Sequence, residues 1–121
     1  MIKHQFLKDE GVLIIEPAAS LRSADFDVLS AIVDPYIREH GKLDGLIIYA
    51  KSFPGWHDFA SLLAHIKFVK EHHAFINKVA AVADEGIIAI LPAIADRFVK
   101  AEVRHFGYDN LDNAIDWITR D

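Results

Sequence analysis

Two hydrophobic rhythms alternate along this chain, one of period two or continuous and one of period three to four, and they predict an ordered set of elements. The stretches "IKHQFL" and "GVLIIE", residues 2–7 and 11–16, are short and β-prone, and Lys8, Asp9 and Glu10 separate them. With Gly11 free to take a positive φ at the turn, they predict a hairpin. From residue 23, Phe26, Leu29, Val33, Tyr36 and Ile37 recur at helical steps, and Gly41 ends the pattern. Ser23 can cap this helix, and Asp25 and Asp27 favour the positive end of its dipole. Pro35 cannot donate to the carbonyl of Ala31, which predicts a kink there. "GLIIYA", residues 45–50, is apolar on both faces, the pattern of a central parallel strand. Over residues 58–75 an amphipathic helix places Phe59, Leu62, Leu63, Ile66, Val69 and His73 opposite Lys67, Lys70 and Glu71. "KVAAVA", residues 78–83, is another buried strand. In "KAEVRHF", Ala101, Val103 and His105 alternate with Glu102, Arg104 and Phe106, which predicts an edge strand with one partly polar face. "NLDNAIDWI" predicts a closing helix with Leu111, Ala114, Ile115 and Ile118 inward.

A hairpin followed by alternating helices and strands predicts an α/β fold, with a mostly parallel five-stranded sheet and the N-terminal strand antiparallel in its hairpin. Strand order does not follow from spacing. At 121 residues the chain is expected to form a single domain, residues 1–121. It contains no cysteine, which excludes disulfides, thiolate metal sites and a cysteine nucleophile. Lys3, Lys8, Asp9 and Glu10 precede the first sustained apolar run, so the N-terminus lacks the order of a secretory signal, and a cytoplasmic location is expected. A net charge of -5 gives no general grip on nucleic acid.

One stretch breaks both rhythms. In "EGIIAILPAIADRF" no side chain from residue 86 to 95 is charged or hydrogen-bonding. A membrane span needs about 20 such residues, so spanning is excluded and at most peripheral membrane contact is left. On a helical wheel Ile87, Leu91, Ile94 and Phe98 form a core stripe, while Ile88, Ala89, Pro92 and Ala95 leave the other side without polar cover. A helix apolar all round is buried or faces something apolar, and full burial is hard to arrange in so small a protein. Four occupants fit the second face: an apolar small molecule, a partner protein, a second copy in a two-fold dimer, or the surface of a bilayer. A plain helix with a bland outer face fits as well. Gly86 and Pro92 would let the segment swing as a lid. For the ligand reading the lining residues are Tyr49, Trp56, Ile87, Ile88, Leu91 and Ala95.

Candidate chemistry gathers where the carboxyl ends of parallel strands converge: Glu16, Lys51, Ser52, Trp56, His57, Asp84, Glu85 and Tyr108. Ser52 does not sit in a Gly-x-Ser-x-Gly elbow, and no glycine-rich loop supplies an oxyanion hole, so no catalytic residue is expected. Seven histidines invite a metal, but His65 and His72 lie about 10 Å apart along a helix, and His72 and His73 diverge by about 100°. No metal or cofactor is expected. Trp56, at a loop-to-helix junction, is read either as a hydrophobic staple or as a stacking surface.

The stretches "HGKLDGLIIYAKSFPGWHDFASLLAHIKFVKEHHAFINKVAAVAD" and "AEVRHFGYDNLDNAIDWI", with Gly55-Trp56, Asp84, Phe106, Ala114 and Trp117 as markers, resemble the SpoIIAA-like family of small bacterial proteins. That family is related in fold to STAS domains and to CRAL-TRIO lipid-binding domains. The resemblance implies sequentially ordered parallel strands wound as a β/α superhelix with an antiparallel N-terminal strand. It implies a non-enzymatic binding protein whose apolar ligand is lipid-like or, alternatively, a STAS-like protein–protein interaction and regulatory module of the anti-sigma-antagonist kind. In those antagonists a serine in an Asp-Ser-Ser/Thr-Gly turn is phosphorylated. Here the turn reads "KSFPGWHD", with Lys51 before Ser52, so a phosphoserine switch is not expected.

Overall fold

The computed structural model describes residues 3–16, 23–50, 75–84, 88, 91–92 and 101–120. Its centre is one five-stranded sheet formed by β1 (Lys3–Leu7), β2 (Val12–Glu16), β3 (Leu43–Ala50), β4 (Ile76–Ala83) and β5 (Glu102–Phe106), in that spatial order. β1 is antiparallel to β2, and every later pairing is parallel. This is the sequential order that the resemblance implied. β3 and β4 each begin two residues before the apolar cores "GLIIYA" and "KVAAVA" that predicted them, and β5 lies at the sheet edge as its alternation predicted.

The β1–β2 turn is closed by the Glu10 N–H donating to the Leu7 carbonyl at 3.1 Å. Gly11 has φ 69°, and a Cβ there would stand 2.7 Å from the Tyr36 hydroxyl oxygen, so backbone and packing both require glycine. The hairpin leads to helix α1 (Ser23–His40), which runs unbroken through Pro35. Pro35 and Ala31 both lie on the exposed side, where water can satisfy the carbonyl that the proline leaves unbonded. The Gly41 N–H donates back to the Ile37 carbonyl at 2.6 Å and ends the helix.

Strand alternation divides the core into two layers. Leu13, Leu46 and Val79 are in register on one face, where Leu29 and Val33 of α1 are fully buried and Tyr36 and Ile37 complete the packing. Val12, Ile14, Ile47, Ala80 and Val82 form the other face, covered by helix α2 (Leu111–Thr119). Ala114 and Ile118 are buried there, and Leu111, Ile115 and Trp117 pack around them, which is the face that the sequence pattern assigned, with Trp117 added. Lys78 holds the end of α2. Its ammonium donates to the carbonyls of Trp117 and Arg120 at 2.8 and 3.0 Å, a favourable place for a cation at a helix C-terminus.

Of the expected helix over residues 58–75, only Phe75 lies among the described residues, and it is exposed. In the apolar run, Ile88 is 50% exposed whereas Leu91 packs against the α1-side core. These two residues therefore divide between the open side and the core as the helical wheel divides them. Ile87, Ile94 and Phe98 lie outside the described residues.

Candidate functional site

Parallel pairing from β2 to β5 brings the carboxyl ends of these strands to one rim of the sheet. Glu16 closes β2, Tyr49 is next to last in β3, and Tyr108 follows β5 in a single 3-10 turn, residues Tyr108–Asn110, that leads into α2. Alternation from Gly45 through Ile47 to Tyr49 points Tyr49 toward the α2 face. There its ring stacks on Tyr108, with centroids 4.7 Å apart and planes within 4° of parallel.

Beside this pair lies a groove of about 460 Å³, lined among the described residues by Lys3, His4, Gln5, Ile14, Glu16, Tyr49 and Leu111. The hairpin register explains the set, because Lys3 stands opposite Glu16 and Gln5 opposite Ile14. Ile14 and Leu111 supply an apolar base, while Lys3, Gln5 and Glu16 supply charge and hydrogen-bonding groups at the rim. A surface of this kind suits a peptide or a side chain with both apolar and polar parts.

The Tyr49 hydroxyl is pushed up from 10.0 to about 12. Its hydrogen bond to Tyr108 contributes most, followed by burial and then by the negative charge that Tyr108, Glu16 and Asp109 bring or can bring. A raised phenol pKa favours the neutral form in the folded state. The stabilisation is therefore fully present below pH 10 and is lost as pH rises through about 12. At neutral pH Tyr49 is a hydrogen-bonding phenol and not a base. In an alkaline titration followed by phenolate absorbance, Tyr108→Phe is expected to bring the Tyr49 step down toward 10.0, because the largest cause of the shift is gone. An unmoved step would show that the hydrogen bond does not set this pKa.

Of the residues that the sequence placed at this rim, Glu16 and Tyr108 both adjoin Tyr49, which the sequence had assigned instead to the apolar-ligand lining. Asp84 directly follows β4. Lys51, Ser52, Trp56, His57 and Glu85 lie outside the described residues, as do Ala95 and the histidines 65, 72 and 73. Tyr49 packs with the α2-side layer and Leu91 with the α1-side layer. Lys3, Gln5, Ile14 and Leu111 were not singled out as site residues. The available signal was the hairpin itself, whose pairing puts Lys3 and Gln5 on the same face as Ile14 and Glu16. Among the described residues no cluster of metal-ligating side chains occurs, and no helix is long and apolar enough to cross a membrane.

A sheet in sequential order, parallel after its first hairpin strand, with helices on both faces and a mixed-polarity groove at its carboxyl rim, defines a small α/β domain of the β/α superhelical class. The SpoIIAA-like family model matches residues 12–119, and the chain belongs to that family. No curated protein and no solved structure matches the chain.

Proposed function

We propose that this protein is a non-enzymatic, STAS-type regulatory module that binds another protein through the groove at the carboxyl rim. The observation that carries the reading is the family match over residues 12–119, which includes Ile14, Glu16, Tyr49 and Leu111 of the groove and Tyr108 stacked on Tyr49. Domains of this type commonly act by protein–protein contact. Charge and hydrogen-bonding capacity at the groove rim favour a polypeptide over a lipid tail, because covering Lys3 and Glu16 with hydrocarbon would remove their hydration without replacement. Tyr49, held neutral, serves recognition and offers no base for catalysis. With Lys51 in place of the acidic residue before Ser52, binding in this reading runs without a phosphoserine switch.

The test compares immobilised wild type with Tyr108→Ala and Glu16→Arg in capture from a native extract, beside native mass spectrometry of protein purified without detergent. The expected result is a protein retained by wild type and lost from both variants, with no lipid mass carried through purification. Stoichiometric lipid on the wild type, together with protein capture indifferent to both substitutions, would overturn the reading in favour of an apolar-ligand carrier.

A further inference from the structure

We infer that the outer edge of β1 is a pairing edge for a second copy of this chain, joined antiparallel about a two-fold axis at Gln5. The inference stands on the edge itself and not on the function proposed above. β1 is the end strand of the sheet, and among the described residues no strand pairs with its outer side. Lys3, His4 and Gln5 are exposed, so the unpaired backbone groups of the edge are accessible.

The composition of the strand selects the occupant. Antiparallel pairing about Gln5 sets Gln5 opposite its own copy, His4 opposite the second copy's Phe6, and Lys3 opposite the second copy's Leu7. No two like charges are directly opposite, the arrangement that would be destabilising. The edge is also polarised, with Lys3 and His4 at one end and the turn residues Lys8, Asp9 and Glu10, together net acidic, beyond the other. Two-fold symmetry carries each Lys3 toward the other copy's turn, where Asp9 and Glu10 outnumber Lys8. A lysine on an edge strand ordinarily discourages pairing. Here the carboxylates of the opposing turn offset it.

The helix above the edge is prepared in the same way. Val28, Ile32 and Pro35 follow one another along α1 at four- and three-residue steps, and Val28 is 54% exposed. Ile32 and Pro35 line a groove of about 260 Å³ with Phe6 and Tyr36, and Lys8 and Glu39 stand at its rim. Phe6 meets Tyr36 edge to face at 5.3 Å, so this apolar surface continues from helix to edge strand. A two-fold axis through Gln5 keeps both α1 helices on the same side of the joined sheet and brings these strips toward each other. On the opposite side it sets the two carboxyl-rim grooves next to each other, because Lys3 and Gln5 line them.

Sedimentation equilibrium of wild type, Gln5→Lys and Gln5→Glu tests the inference. Gln5 is exposed, so both variants should keep the parent's circular dichroism and melting temperature. Wild type should dimerise at micromolar concentration, each variant alone should dimerise several-fold more weakly, and an equimolar mixture of the two should regain the dimer by setting lysine against glutamate across the axis. A wild type that stays monomeric through the micromolar range would overturn the inference. So would a dimer that neither variant weakens, since its contact would then lie on another surface such as that around Ile88.

Discussion

Gly45→Ala is expected to unseat the C-terminal helix. Gly45 lies buried in β3 beneath α2, and a methyl there would stand 2.6 Å from Ile118 Cδ1 and 2.8 Å from its Cγ1, closer still to Cγ2. Neither side can yield cheaply. β3 is held in register by Val12 on one side and Lys78 on the other, and Ile118 is packed among Val12, Ile14 and Ile47. Overpacking of this kind costs about 1–3 kcal/mol, and the total stability of such a protein is about 5–15 kcal/mol. At roughly 3–8 °C for each kcal/mol, thermal denaturation should show a loss on the order of 10 °C. Ile118→Val removes Cδ1, one of the crowded atoms, so the double variant should recover part of the loss, a non-additivity expected only of residues in contact. If Gly45→Ala melts with the parent, α2 does not sit on β3 at this point.

Val33→Asp is expected to abolish folding, whereas Val28→Asp on the same helix should give a folded protein. Val33 is fully buried between α1 and the sheet, against the layer that contains Leu13, Leu46 and Val79. An uncompensated carboxylate there costs several kcal/mol, comparable to the whole stability. Val28 lies five positions earlier on the outward side, where an aspartate stays hydrated. Circular dichroism and the melting transition separate the two, and Val28→Asp should in addition weaken the β1-edge dimer. Two variants that melt alike would mean that the assignment of the α1 faces is wrong.

Much of this architecture was legible because its causes are local. A positive-φ glycine after Lys8-Asp9-Glu10 specifies a hairpin wherever the hairpin sits, and Gly11 takes φ 69° there. Helical spacing in "NLDNAIDWI" identifies Ala114 and Ile118 as buried before any partner is known. Doubly apolar runs mark β3 and β4 as interior strands, since only a strand covered on both faces tolerates no polar position. The apolar segment was legible only as a question. Ile88 outward and Leu91 inward agree with its wheel, yet exposure alone does not name an occupant.

Over the described residues, the sequence by itself determined which residues form strands and helices and which sides of α1 and α2 are apolar, because period and turn chemistry act over a few residues. Strand order was decided only in the tertiary structure, or by family resemblance, because every parallel crossover of similar length has similar spacing. So was the meeting of Tyr49 with Tyr108, 59 positions apart, which depends on β3, β4 and β5 lying side by side with their carboxyl ends aligned. The groove beside them joins β1 to the start of α2, and the need for glycine at position 45 arises only once Ile118 lies above it. Such contacts join residues through the packing of whole elements, and no local pattern in either partner records the other.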